Sequence, residues 1–220
     1  MVISVITPVW NHSDLTNKFL FQHWQLYRNR IDIEFVIIDN GSIDNTPRLL
    51  KSWQEMMGKH LHVIVNEENR GFGPANNQGA ELAKGDIFVF LSNDVIIGGD
   101  YLTSIQETIT PNALIGPQIM DWDTGWNRFG DTLVSYVAGW CVCATRETWL
   151  ELGGFDERYI PCDYEDMDVS LQAVKNGYEL RRIDLPLAHL FGQSAQNLNG
   201  GREAVTLKNQ ELFKQKWGFV

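Results

Sequence analysis

Asp86-Ile87-Phe88-Val89-Phe90-Leu91-Ser92-Asn93-Asp94 is the stretch on which the fold turns. Its middle is continuously apolar, aromatic and β-branched, without the in-out alternation of a half-exposed strand. Such a run is covered on both faces, which is the condition of a strand in a parallel sheet flanked by helices. Its neighbours should then be strand–helix units, and upstream they read that way. Residues 2–6 form a buried strand ended by Thr7-Pro8. A helix capped by residues 11–14 runs to about Arg30. Residues 33–38 form the second strand and enter Asp39-Asn40-Gly41-Ser42. Asp44 caps a helix to about Met57, with Pro47 in its first turn. Residues 60–65 are a third strand, 66–73 a polar loop, and 74–83 a helix stopped by Gly85. The order predicts an α/β fold whose ligands gather outside the carboxyl ends of the strands, where the Asp39 and Asp94 loops lie.

The second half is mixed. Residues 114–120 and 133–144 read as strands around a polar loop, 121–131, that carries Trp122 and Trp126. Residues 146–152 are a short helix ended by Gly153-Gly154. Residues 163–175 are a helix stopped by Asn176-Gly177, and 178–183 a strand. Residues 187–193 are a loop and 202–217 a last helix. No repeat, low-complexity tract or Pro/Ser linker divides the chain. One domain is expected, with a nucleotide-type half (1–97) and a second half (98–220).

The bulk numbers agree with a globular protein. The 220 residues are 44% hydrophobic and 21% charged, enough for a sizeable core. A net charge of −10 argues against general nucleic-acid binding, which wants a basic stripe. It leaves room for a local diphosphate site built on a divalent cation and an Arg. Three cysteines at no disulfide or zinc spacing fit a reducing cytoplasm. The N-terminus reads as a buried strand, not a signal peptide, and no apolar run reaches the ~18–20 residues of a spanning helix. Eight Trp suit sugar faces and core packing equally.

The acidic clusters carry the candidate chemistry. Asp94, beside Asn93 at a strand end, offers oxygen for Mg²⁺ or Mn²⁺ while phosphates fill other positions; taken alone it reads more readily as a turn or helix cap. Asp39 is placed to accept from a base N–H or ribose hydroxyl, or simply to make a turn with Gly41. Asp163, Glu165, Asp166 and Asp168 crowd one helix start. There the dipole favours negative charge, and repulsion with burial would also raise a carboxylate pKa towards that of a general base. His189 among apolar residues reads as a hydrogen-bonded core residue or a metal ligand. Arg70-Gly71-Phe72-Gly73 is a weak phosphate-loop signal, since it follows the third strand and lacks the Walker and Rossmann patterns.

Taken in order, these blocks resemble the family 2 glycosyltransferases of GT-A fold. The blocks are Val5-Ile6-Thr7-Pro8-Val9-Trp10-Asn11, Asp39-Asn40-Gly41-Ser42, Asn69 to Gly79, Leu91 to Asp94, Gly153-Gly154-Phe155-Asp156-Glu157 and Tyr164 to Asp168. His189 to Ser194 is similar to the His-x-x-Gly-x-Ser ending of rhamnosyl- and galactofuranosyl-transferase-like members. The resemblance implies a mostly parallel Rossmann-like sheet flanked by helices, with a smaller mixed sheet on the acceptor side. It implies inverting transfer from a UDP-, dTDP- or GDP-linked sugar to a hydroxyl of a glycan, a lipid-linked glycan or another acceptor. By the same resemblance Thr7, Pro8 and Asp39 hold the nucleoside, and Arg70, Asn77 and Asn93 face the donor. Gly139 and Trp140 lie by a sugar, and Asp94 and His189 bind Mn²⁺ or Mg²⁺. Asp166 is the general base, with Glu165 beside it. Ser92 stands where the family's metal motif has its first Asp, and is not carried over as a ligand. Two other classes remain open at this point: a sugar nucleotidyltransferase, for which the loop after the first strand lacks a Gly-rich signature and an early cation, and a non-catalytic sugar- or nucleotide-binding module.

Overall fold

A computed structural model describes residues 1–190 and 201–220. The first half follows the strand–helix order: β1 (Ile3–Val9), α1 (Ser13–Tyr27), β2 (Ile33–Asp39), α2 (Thr46–Met57), β3 (Leu61–Val65), α3 (Phe72–Leu82) and β4 (Ile87–Leu91). Then come β5 (Val95–Ile97), α4 (Tyr101–Thr108), β6 (Ala113–Gly116), β7 (Ile119–Met120), β8 (Arg128–Phe129), β9 (Thr132–Leu133) and β10 (Tyr136–Val137). The chain continues through β11 (Cys141–Thr145), α5 (Arg146–Leu152), α6 (Glu165–Lys175), β12 (Glu179–Arg182), β13 (Leu187–His189) and α7 (Arg202–Trp217).

Among the described residues the main sheet has seven strands in the order β12-β6-β11-β4-β1-β2-β3. All its pairings are parallel except those of β11, which runs antiparallel to both β4 and β6. β1 sits between β2 and β4, so the chain leaves it in both directions and opens a crevice at their shared carboxyl edge. Side-chain alternation splits the core over the two faces. Ile33, Phe35 and Ile37 of β2 and Ile87, Val89 and Leu91 of β4 pack with α1, α2 and α4. Val36 and Ile38, with Phe88 and Phe90, pack towards α3, α5 and α6. A third cluster, built on Phe129, Tyr159, Tyr164, Met167 and Phe213, docks α7. The smaller mixed sheet expected from the resemblance is replaced, among the described residues, by three two-stranded antiparallel ribbons, β7-β10, β5-β13 and β8-β9.

Several boundaries move from the sequence reading, each for a physical reason. β1 continues through Pro8 to Val9, because β2 still pairs with it after β4 has stopped at Ile6. The single strand expected over 114–120 breaks at Pro117, which has no N–H for a ladder. The one expected over 133–144 becomes β9, β10 and β11, and the break at Gly139 frees that N–H to bond Asp166. The loop expected over 187–193 begins with a strand, β13, which pairs with the unforeseen β5; residues 191–193 lie outside the described residues. So does the Gly192 to Ser194 part of the His-x-x-Gly-x-Ser segment.

Gly41 shows how tightly the β2 edge is built. Its φ is +79°, and a Cβ there would stand 2.6 Å from the backbone of Glu68. Gly41→Ala therefore meets both left-handed strain and a backbone collision. It should cost about 2–3 kcal/mol, read as a fall in urea midpoint at unchanged m-value; a midpoint equal to that of the parent would show that the loop gives way freely.

Candidate active site

The carboxyl edge of the sheet assembles the site in three parts. The first is the end of β1 and β2. Asp39 is fully buried, and its Oδ1 accepts from the Ser42 N–H at 3.0 Å. Its Oδ2 and the hydroxyl of the equally buried Thr7 have no hydrogen-bond partner among the described residues. Buried polar atoms are normally paired, so this carboxylate oxygen, an acceptor, and this hydroxyl, which both donates and accepts, are what a ligand's polar groups would satisfy. Asn40, which the sequence reading passed over, ties down the next loop. Its amide donates to Asn69 Oδ1 and Gly71 O, and its oxygen accepts from Asn66 and the Arg70 N–H.

The second part lies at the end of β4. Cys141 is in register with Leu91, so Gly139 and Trp140 fall beside Ser92, whose N–H donates to Trp140 O at 2.9 Å. Asp94 is held just before β5, and antiparallel pairing sets His189 of β13 opposite Val95. This puts His189 Nε2 3.2 Å from Asp94 Oδ1, across 95 positions of sequence. The imidazole stacks on Trp140 with ring centroids 5.1 Å apart and planes 7° from parallel. The Trp140 indole N–H donates to Gln118 at 2.8 Å, so Gln118, Trp140 and His189 support one another.

The third part is the segment before α6. Asp163 and Tyr164 adopt left-handed φ of 75° and 80°, rare for non-glycine residues. α7 holds them there: Arg202 and Thr206 donate to the Asp163 carboxylate, and the fully buried Asn209 donates to Cys162 O and Asp163 O. The helix that follows starts with Glu165 and Asp166. Asp166 Oδ2 accepts from the Gly139 N–H and Oδ1 from its neighbour Met167, both at 2.8 Å. Burial pushes the Asp166 carboxyl up to about 6 against the pull of those two N–H groups. Glu165 is raised well above the usual carboxylate range, chiefly by burial and then by the charge of Asp166. Its Oε2 has no partner among the described residues.

One cavity of about 790 Å³ joins the second and third parts; of the first it touches Pro8, while Thr7 and Asp39 do not line it. Asp94, Trp140, Glu165, Asp166 and His189 line it, as do Pro8, Asn93 and Gly139. Other residues expected at the donor are placed differently. The Asn93 amide donates to Thr16 on α1 at 3.2 Å. Arg70 is exposed and does not line the cavity. Asn77 is also outside it, where its side chain donates to Phe155 O and Glu157 and accepts from the Phe155 N–H. Asn77 thus braces the Gly-Gly-Phe-Asp-Glu block, and a Cβ on Gly154 would press on its Oδ1 at 2.8 Å. Sequence reasoning missed Gln118, Tyr164 and Arg202, which do line the cavity. No local pattern marks them; only packing carries them there.

The family profile described as Glycosyl transferase family 2 matches residues 4–159, which include the ends of β1, β2 and β4 and the strand beside them. The chain belongs to glycosyl transferase family 2. Among curated relatives, the putative glycosyltransferase EpsH of Bacillus subtilis is 27% identical over 108 residues, covering 48% of this chain and 30% of EpsH. Glycosyltransferase GlyA of Streptococcus pneumoniae is 32% identical over 108 residues, covering 49% of this chain and 15% of GlyA. This family 2 chain therefore spans less than a third of the length of either relative. In three dimensions it matches the mannosyltransferase PcManGT of Pyrobaculum calidifontis, solved with GDP-Man and Mn²⁺ (TM-score 0.67, 22% identity, 83% of this chain and 54% of that one). It also matches GalNAc-T7, solved with UDP, GalNAc and Mn²⁺ (TM-score 0.74, 18% identity, 97% and 48%). At such identities the likeness is one of fold, and the family 2 chain has the GT-A fold. No helix among the described residues is long and apolar enough to cross a membrane.

Proposed function

We propose that this chain is one catalytic unit that transfers a sugar, with inversion, from a nucleoside-diphosphate sugar to an acceptor hydroxyl. The observation that carries the reading is the shared cavity, which both the clamped Asp166 carboxylate and the Asp94–His189 pair line. Asp166 takes the proton of the acceptor hydroxyl as that oxygen attacks the anomeric carbon and the diphosphate leaves from the opposite face. A single base poised to deprotonate the attacking hydroxyl suits direct displacement, and therefore inversion. Glu165 orients a hydroxyl of donor or acceptor. Thr7, Pro8 and Asp39 receive the nucleoside, where the two unpartnered buried oxygens await partners.

Asp94 and His189 fit a divalent cation. They offer one carboxylate and one imidazole, a mixed donor set that suits Mn²⁺ better than Mg²⁺. When bound, the cation supplies positive charge against the departing diphosphate. The Mn²⁺ and nucleotides of the two solved neighbours support this reading. Three free thiols suit a reducing cytoplasm, where we place the reaction.

The test is a thermal-shift screen of UDP, GDP and dTDP, each with and without Mn²⁺. A ligand bound only by the folded chain raises its melting temperature. We expect one nucleotide to do so, only with Mn²⁺, and Asp94→Ala to abolish that shift. No shift with any nucleotide, or a Mn²⁺-dependent shift surviving in Asp94→Ala, would refute the donor site as drawn.

A further inference from the structure

The half of the cavity around Asp166 has walls of a particular chemistry, and they identify what binds there. Trp126 lines the cavity yet remains 42% exposed. It does not wander. Its carbonyl accepts from the Tyr164 hydroxyl at 2.8 Å, two residues before Asp166. The fully buried Asn127 next to it braces the whole loop: its oxygen accepts from Thr124 N–H and hydroxyl, and its amide donates to Trp122 O and Val134 O. A large aromatic face is thus held open by its backbone instead of collapsing into the core. Met120, Tyr136 and Met167 extend the apolar wall. The polar wall is acidic, with Asp163, Glu165, Asp166 and Glu203. The nearby cation, Arg202, is held by Asp163 at 2.8 Å. Glu165, 5% exposed, keeps an unpartnered Oε2 among the described residues.

We propose that the acceptor is an uncharged saccharide whose ring lies on Trp126 while its hydroxyls donate to Glu165 and Asp166. This rests on the glycosyl-transfer reading above. A flat indole matches the C–H face of a pyranose. The Glu165 Oε2 that has no partner among the described residues is satisfied by a hydroxyl, and a wall holding Asp163, Glu165, Asp166 and Glu203 disfavours phosphate or carboxylate groups, which only accept. The aromatic wall and the acidic wall therefore select the same ligand: apolar on one face, hydroxylated at the edge, without negative charge.

Saturation-transfer NMR tests it on the chain loaded with Mn²⁺ and whichever nucleotide shifts its melting temperature. The probes are methyl β-glucoside, β-galactoside and β-mannoside, against methyl β-glucuronide and ribitol 5-phosphate. At least one neutral glycoside should receive saturation on its ring protons, and bind at least tenfold more tightly than the anionic probes. Trp126→Ala should weaken that glycoside about tenfold, and Trp126→Phe should restore most of the loss. Both variants keep the carbonyl that Tyr164 bonds, and an unchanged melting temperature verifies the fold. If all three neutral glycosides fail while the nucleotide still shifts, if the anions bind as well, or if Trp126→Ala binds as the parent does, the acceptor proposal is wrong and the donor site stands. If no nucleotide shifts, the glycosyl-transfer reading itself falls.

Discussion

Asp166→Asn should lower transfer by about 10³-fold, within the 10²–10⁴-fold that a positioned general base contributes. The amide cannot take up a proton, yet it occupies the same volume beside Gly139 and Met167. Nucleotide and Mn²⁺ binding, which the proposed donor site rests on Asp39 and the Asp94–His189 pair, should survive. Single-turnover rates and the thermal shift, measured on the same sample, separate the two effects. If donor affinity falls as far as the rate does, Asp166 holds the donor and is not the base. The parent's pH profile gives a companion result. Asp166 must be ionised to work, and burial raises it from 3.8 to about 6. Activity should therefore climb about tenfold per pH unit below pH 6 and level off above it. A limb lying near 4 would mean that the carboxylate is not desolvated in the working enzyme.

Asp168→Ala should cost about 3 kcal/mol, the largest stability loss we expect from one residue of this region. Asp168 is 2% exposed and accepts from three donors: the Tyr159 hydroxyl, the Trp217 indole at 2.8 Å and Lys216 Nζ at 2.7 Å. Removing it strands the buried Tyr159 hydroxyl and the half-buried Trp217 indole N–H, and weakens the hold on an ammonium. Lys216 is partly exposed and retains Asp156 at 2.8 Å, which keeps the loss at the lower end of the range for a broken buried pair. For a chain of this size the melting temperature should drop by roughly 6–12 °C. Asp168→Asn, which keeps one acceptor, should lose less. A fall of under 2 °C in Asp168→Ala would show that α7 is held by its apolar cluster alone. The lock matters to the site because α7 ties its two ends to one segment: its last turn grips Asp168, and its N-terminal part grips Asp163 beside Glu165 and Asp166.

Much of this protein was determined by the order of its residues. Continuous apolar runs at β2 and β4 specify strands buried on both faces, and that condition calls for helices on both sides of a parallel sheet. Polar residues at the ends of those strands must then share one edge, which puts the Asp39 and Asp94 loops on the same side of the sheet. The motifs from Val5 to Asp168 indicated the family for the same reason: each occupies a strand end or helix start whose backbone geometry restricts what can stand there. Tertiary structure decided the rest. His189 read alone as a core histidine or a ligand. Only the pairing of β13 with the three-residue β5, too short to carry a pattern, sets it on Asp94. Gly139 looked like the interior of a long strand, and becomes the donor to Asp166 because the strand breaks there. Arg70 and Asn77 carry suitable chemistry in a suitable motif, yet one faces solvent and the other braces Phe155, since a motif constrains the backbone more than it aims a side chain. The left-handed turn at Asp163–Tyr164 and the grip of α7 on it were illegible for the same reason: they depend on contacts across some 40 positions, and local sequence encodes local preference, not which distant surface will meet it.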